Sequence, residues 1–148
     1  MDYKICENFF TKEECEKYIN YIEQLPRQGY HKDRYDQFDM DFSQYLYEKV
    51  KEYLPDIKAG SGRITFLRYN DKSSGMRVHK DQILEPNVKY TGIIYLNDLE
   101  DGETILYERY PIKVNPREGR LLLFNVNMYH KACPPEKVKY AILFRLKN

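Results

Sequence analysis

A mostly β protein with flanking helices is the fold class this sequence predicts, and three observations predict it. The N-terminal third carries two stretches with apolar residues at helical spacing, each with a capping pattern and a closing proline. From Arg63 onward the pattern changes to short strands at 63–69, 76–80, 89–96, 103–107, 111–114, 120–125 and 138–146. No helical segment interrupts these strands, which excludes an α/β sheet and argues an antiparallel sandwich or barrel. At 148 residues the chain has room for one domain, with a helical support region over 1–57 and a strand-rich core over 63–146.

The first helix opens at Thr11-Lys-Glu-Glu14, a capping box in which the Thr hydroxyl takes the Glu14 amide and the Glu14 carboxylate reaches back. Phe10 and Cys15 are placed for a hydrophobic staple. Cys15, Tyr18, Ile19, Ile22 and Leu25 then form one apolar stripe, and Pro26 ends the helix. Residues 27 to 40 have no clear period and read as loop. The second helix is expected to be capped by Asp41, to bury Phe42, Leu46, Val50 and Leu54, and to stop at Pro55. Gly60-Ser-Gly62 reads as the turn that separates helices from strands. Asp71 to Gly75, Asn97 to Gly102 and Asn115 to Gly119 punctuate the strands, and Gly75, Gly102 and Gly119 read as turn glycines. The last strand leaves two arrangements open. Tyr140, Ile142, Phe144 and Leu146 alternate with Lys139, Ala141, Leu143 and Arg145. The second set faces solvent, or, if helices cover the apolar set, it faces an internal polar cavity.

Composition narrows the function. Hydrophobic content of 42% with 15% aromatics fills a core, and the net charge of +1 gives no global reason for a nucleic-acid or anionic-membrane partner. Cys6, Cys15 and Cys133 are odd in number and widely spaced, which argues reduced thiols rather than a zinc site. No stretch approaches the roughly 20 apolar residues of a membrane span, and the N-terminus lacks a basic segment followed by an apolar run, so a cytoplasmic setting is expected.

The chemistry gathers at His79-x-Asp81. Two side chains two residues apart in extended chain point the same way, which brings an imidazole and a carboxylate within reach of one metal ion. Of the three histidines in the chain, His130 is the candidate third ligand, while His31 lies in a polar stretch and reads as solvated. Two histidines and a carboxylate on one face of a metal, with positions left open, suit non-haem Fe(II). The plain alternative is a surface His-Lys-Asp turn. Arg27, Lys32 and Arg34 form a small basic cluster, read as solvated surface with a substrate contact as the alternative.

The surrounding residues add a resemblance. Residues 63 to 145 resemble the prolyl-4-hydroxylase branch of the 2-oxoglutarate- and Fe(II)-dependent dioxygenases. It is carried by Arg68-Tyr69, His79-x-Asp81, Thr91-x-x-x-Tyr95-Leu96-Asn97 and Asp101-Gly102-Glu103-Thr104, then Val114-x-Pro116-x-x-Gly119. It closes with Leu123-Phe124, His130-x-x-x-Pro134 and Lys139-Tyr140-Ala141-Ile142. Asn8 to Cys15 also looks like that family's opening.

The resemblance implies a double-stranded β-helix (jelly-roll, cupin-like) core with the two N-terminal helices packed on one sheet. It implies that His79, Asp81 and His130 bind Fe(II), and that Lys139 pairs with the distal carboxylate of 2-oxoglutarate, with Tyr95 and Thr91 beside it. Tyr69 reads as core or as part of the same cosubstrate pocket. Arg145 is the rival cation; it lies roughly 20 Å further along the strand, so the two do not hold one carboxylate together. There are departures. Met76 stands where the family often has an aromatic, and Arg145 where it often has tryptophan; an inward arginine there would suit an anionic substrate. The presence of Asp81 argues against halogenation. The implied activity is hydroxylation of an unactivated C–H bond with O2, on a prolyl or other residue of a peptide or protein, or on a small molecule such as a free amino acid. Succinate and CO2 would be released, and ascorbate would serve as a possible reductant. The alternatives are a metal-binding jelly-roll protein that keeps the fold without turnover, and a cupin-like enzyme using another metal.

Overall fold

The computed structural model describes residues 2–29, 31–71, 73–83 and 85–148. In chain order the elements are β1 (Tyr3–Cys6), α1 (Lys12–Gln24), β2 (Lys32–Phe38), α2 (Met40–Val50), β3 (Lys58–Tyr69) and β4 (Met76–His79). Then come β5 (Val88–Tyr95), β6 (Thr104–Tyr107), β7 (Pro111–Val114), β8 (Leu121–Asn125), β9 (Tyr129–Ala132) and β10 (Lys139–Lys147). The strands form two antiparallel sheets, one of six in the order β1-β8-β5-β10-β3-β2 and one of four in the order β4-β9-β6-β7. No helix among the described residues is long and apolar enough to cross a membrane.

Strand alternation divides the interior in two. Ile64 and Phe66 of β3, Ile94 of β5, Leu121 and Leu123 of β8, and Ile142 and Phe144 of β10 share one cluster with Cys15 and Ile22 of α1 and Leu46 and Val50 of α2. The opposite faces of the same strands, through Leu67, Tyr69, Ile93, Tyr95, Leu122, Phe124 and Ala141, meet Leu106 and Val114 of the smaller sheet. The apolar set of β10 thus lies in the cluster it shares with helix residues, while Lys139, Ala141, Leu143 and Arg145 line an internal cavity. Of the two arrangements open for this strand, the inward one is found. Covering one face of the sheet with apolar helix residues leaves the other face as the wall of the site.

The capping box of α1 is present, with the Glu14 amide donating to Thr11 Oγ1 at 3.1 Å and the Thr11 amide to Glu14 Oε1 at 3.0 Å. Four sequence expectations are corrected. Residues 27 to 40 are not all loop, because Lys32–Phe38 pairs with β3 as an edge strand. Region 1–57 therefore supplies two strands of the larger sheet besides its helices. The cap of α2 is Asp39, not Asp41: the Asp39 amide continues the ladder to the Gly62 carbonyl at 2.9 Å, which holds it extended while its carboxylate takes the Phe42 amide at 2.9 Å. The helix ends at Val50 with Lys51 as cap, before Pro55 is reached.

Gly60-Ser-Gly62 is not a turn but part of β3, opposite a register shift between Phe144 and Leu146 of β10. A side chain at Gly60 would overlap the carbonyl of Arg145, so glycine is what allows the two backbones to close there. Gly75 has a related task. Its φ is +72°, and a Cβ would overlap the carbonyl of Ala132 and crowd the backbone of Cys133 and Pro134. Gly75→Ala combines that overlap with the left-handed penalty of about 1–2 kcal/mol. It is expected to destabilise the protein in urea titrations by more than this penalty alone, and to separate β4 from β9.

Candidate active site

The site forms where β4 and β9 pair. His79 ends β4 and stands directly across from His130 of β9, so the two imidazoles meet as cross-strand neighbours, with ring centroids 4.3 Å apart. Asp81, two residues beyond His79, turns back to them. Its Oδ1 lies 3.2 Å from His130 Nε2 and 4.0 Å from His79 Nε2. One ligand atom from each of His79, Asp81 and His130 lies within 4.8 Å of the other two, and no other such group occurs among the described residues.

Each imidazole is also held from behind. His79 Nδ1 lies 2.6 Å from the Arg77 carbonyl and His130 Nδ1 3.1 Å from the Met128 carbonyl. A carbonyl accepts only, so Nδ1 carries a proton, and Nε2, which faces Asp81, is the nitrogen left to share a proton with the carboxylate or give it up to a metal. This is the ring orientation a metal requires, fixed by backbone oxygens as metal-binding histidines commonly are. Asp81 is held as well, by the Thr91 hydroxyl and by Arg145, whose Nη2 lies 3.5 Å from Oδ2. Burial alone would raise its pKa, but the His130 hydrogen bond, the Arg145 charge and the Thr91 hydroxyl outweigh that and hold it at about 2. Asp81 is an anion over the whole working range of pH. Two imidazoles held with Nε2 forward, beside an anionic carboxylate, fit a divalent first-row metal.

Beyond the triad, a narrow cavity of about 70 Å³ runs between the sheets, lined among others by Leu67, Tyr69, Ile93, Thr104, Lys139 and Ala141. Lys139 is 2% exposed. Its ammonium donates to the Gly102 carbonyl at 2.8 Å and lies 4.9 Å from the Tyr69 ring centroid and 5.5 Å from that of Tyr95. Burial lowers its pKa to about 8, with Cys133 and Glu103 pulling the other way. A cation so deep, bonded to a carbonyl and no carboxylate among the described residues, is a ready partner for an anionic ligand end. The Tyr95 and Thr104 hydroxyls share a hydrogen bond of 2.6 Å, and Thr104 rather than Tyr95 is on the cavity wall. Thr91, expected beside Lys139, instead gives its hydroxyl to Asp81.

A wider cleft of about 520 Å³ adjoins this cavity, and Arg34, Met76, His79, Asp81, Leu143 and Arg145 line both spaces. Lys139 lines only the narrow cavity, whereas Arg145 lines both spaces. Met76 accepts from the Lys32 ammonium at 3.1 Å, and Lys32 also lies 5.5 Å from the Tyr69 ring. Lys32 and Arg34 are not the solvated surface their sequence setting suggests. Because β2 is a strand, they share one face and line the cavity, and the charged residues at Lys32, Arg34 and Asp36, spaced by two, are the signal for it. His31 is exposed and outside the triad, as its polar setting suggested.

Comparison with known proteins decides the family. The profile of the 2OG-Fe(II) oxygenase superfamily matches residues 64–145, more than half of the chain. The chain belongs to that superfamily. This 2-oxoglutarate-dependent dioxygenase also shares its fold with solved structures. A prolyl-4-hydroxylase from Pseudomonas putida superposes with a TM-score of 0.70 at 15% identity, over 99% of this chain and 92% of the other. A viral collagen prolyl hydroxylase from Paramecium Bursaria Chlorella virus-1, solved as its 2OG complex, gives 0.75 at 17% identity, over 99% and 96%. A prolyl hydroxylase from Trichoplax adhaerens, solved with a hypoxia-inducible-factor peptide fragment, gives 0.75 at 19% identity, over 99% and 83%. No curated protein sequence matches the oxygenase. Its two antiparallel sheets correspond to the jelly roll of these oxygenases, and the family supports Fe(II) and 2-oxoglutarate as the groups it uses.

Proposed function

We propose that this oxygenase hydroxylates an unactivated C–H bond of an amino-acid residue in a peptide or protein, or of a free amino acid. The overall reaction takes 2-oxoglutarate, O2 and R–H to succinate, CO2 and R–OH, so the two oxygen atoms are divided between succinate and product. The observation that carries the proposal is the triad at the junction of two adjoining spaces, a narrow one that reaches buried Lys139 and a wider cleft.

In this reading His79, Asp81 and His130 hold Fe(II), which together with 2-oxoglutarate supplies the oxidising chemistry. The chain's own residues position and shield. Lys139 receives the distal carboxylate, with Tyr69 beneath its ammonium and the Tyr95–Thr104 hydroxyl pair beside it. Leu67, Ile93 and Ala141 exclude water from that end, which strengthens the ion pair. Thr91 orients Asp81. The open cleft then takes the substrate, so that Lys139 and Arg145 serve different molecules.

Purified protein given Fe(II), ascorbate and 2-oxoglutarate is expected to release succinate slowly even without substrate. A protein that releases none, and shows no iron- and oxoglutarate-dependent visible absorption without oxygen, would refute the reading. Thr91→Val keeps the shape but removes the hydroxyl on Asp81. It is expected to weaken Fe(II) binding by about ten- to a hundred-fold, the usual cost of losing such a partner, measured by anaerobic metal titration. With all three ligands and the buried lysine present, no observation favours a fold retained without turnover.

A further inference from the structure

The open cleft carries more positive charge than its own carboxylates use. Arg34 on β2, Arg63 on β3 and Arg145 on β10 all line it. Asp36 serves both Arg34 and Arg63, at 3.4 Å and 3.3 Å, and also accepts from the Thr65 hydroxyl at 2.6 Å. Glu85 is engaged by Ser61 and by Lys147. Arg145 has Asp81 as its carboxylate partner, and that is the residue read above as a metal ligand. Once Asp81 shares its charge with a dication, the guanidinium 3.5 Å away faces a metal rather than a free carboxylate.

The backbone is built to keep Arg145 there. The register shift of β10 against β3 falls at this residue, and Gly60 lets its carbonyl close in; such irregularities re-aim a side chain. On the β5 side Arg145 pairs with Thr91, the residue that holds Asp81. Three guanidiniums on three adjacent strands line one cleft, two of them sharing Asp36 and the third paired with Asp81. Each guanidinium has five N–H donors in a planar fork suited to a carboxylate.

We propose that the cleft binds a carboxylate of the substrate between Arg145 and Arg34, and so selects substrates acidic next to the carbon that is oxidised. This rests on the oxygenase reading for the place of the metal, and it deepens that reading by naming the substrate class. The carboxylate is either the α-carboxylate of a free amino acid or the side chain of an acidic residue in a peptide. Arg145 is close enough to the triad that a carboxylate held by it presents neighbouring carbons to the metal face.

Two matched pairs of probes separate the sources: N-acetyl-L-alanine against its amide, and Ac-Gly-Glu-Gly-NH2 against Ac-Gly-Gln-Gly-NH2. Binding is followed by NMR of arginine Nε–H and backbone amide signals, with Zn(II) in place of iron and saturating 2-oxoglutarate. The acidic member of at least one pair is expected to bind at least about tenfold more tightly than its neutral partner, as for a charge-assisted hydrogen bond. The perturbed signals should be those of Arg34 and Arg145. Arg34→Gln and Arg145→Gln are each expected to erase the preference, whichever pair shows it. Arg34 is 41% exposed at its side chain, so its variant tests the site even if Arg145→Gln fails to fold. Equal binding of acid and amide in both pairs, or a preference that survives Arg34→Gln, overturns the proposal. Succinate release by the unaltered protein reads the parent activity separately. Acid binding without succinate would refute the oxygenase reading and leave the anion site standing; succinate without acid preference would do the reverse.

Discussion

Replacing His130 by alanine is expected to abolish Fe(II)-dependent release of succinate, while His31→Ala leaves it unchanged. The contrast is physical. His130 is 6% exposed, stands across the ladder from His79, and packs its ring 4.6 Å from that of Phe124. His31 is exposed and outside the triad. Without His130, His79 and Asp81 offer two donors where a stable site on this metal uses three. Loss of a partner behind a ligand costs about ten- to a hundred-fold, so loss of a ligand itself should exceed the upper end of that range. Succinate formation is the first measurement, and anaerobic Fe(II) titration the second. Retained turnover in His130→Ala would mean that the ligand assignment is wrong. A loss of turnover with Fe(II) affinity intact would assign His130 to some other step.

Much of this arrangement was legible in the sequence where a local rule was strong. The Thr11–Glu14 box and the stripe through Cys15 and Ile22 place α1 because capping chemistry and periodicity agree. The seven strands expected from Arg63 onward are all present, with ends shifted by a few residues. The strands that went unread have no such local signature. β2, Lys-Asp-Arg-Tyr-Asp-Gln-Phe, is an edge strand paired only with β3 among the described residues, and one of its faces is charged where Lys32 and Arg34 line a cavity. β1 and β9 are four residues each, and β9 contains only the His130 half of a pair whose other half is 51 positions earlier (130 − 79). Long-range register of this kind decides which histidine meets which, and no spacing rule carries it. Gly60-Ser-Gly62 misled for a related reason: two glycines near each other signal a turn locally, yet here they accommodate the carbonyl of Arg145 from a strand far away in sequence. The cavity's cations were half legible. Lys139 and Arg145 share the alternating face of β10, but only the packing of helix residues on the opposite face of the sheet shows that this face is interior.

Lys139→Met should separate stability from function. The ammonium is buried, its pKa is pulled down to about 8 by burial, and it is bonded to the Gly102 carbonyl. Charging it inside the fold therefore costs free energy below pH 8. The unfolded chain, with an ordinary lysine pKa of about 10.4, binds more protons than the folded one between pH 8 and 10. Stability of the unliganded protein then rises with pH across that window. Methionine of similar length carries no charge, so the variant is expected to unfold at higher urea than the original protein at neutral pH, by about 1–4 kcal/mol. The same change should raise the KM for 2-oxoglutarate by about two to three orders of magnitude, since a buried charge pair truncated on one side loses 2–5 kcal/mol or more. The pH dependence follows from the same proton. The carboxylate of the cosubstrate needs the ammonium form, so its affinity in the original protein should be level below pH 8. Above pH 8 it should fall by up to about tenfold per unit, with proton uptake on binding. Lys139→Met should show neither the fall nor the uptake. If Lys139 were only a structural residue, the variant would lose stability and keep the cosubstrate; the reverse pattern is what this geometry requires.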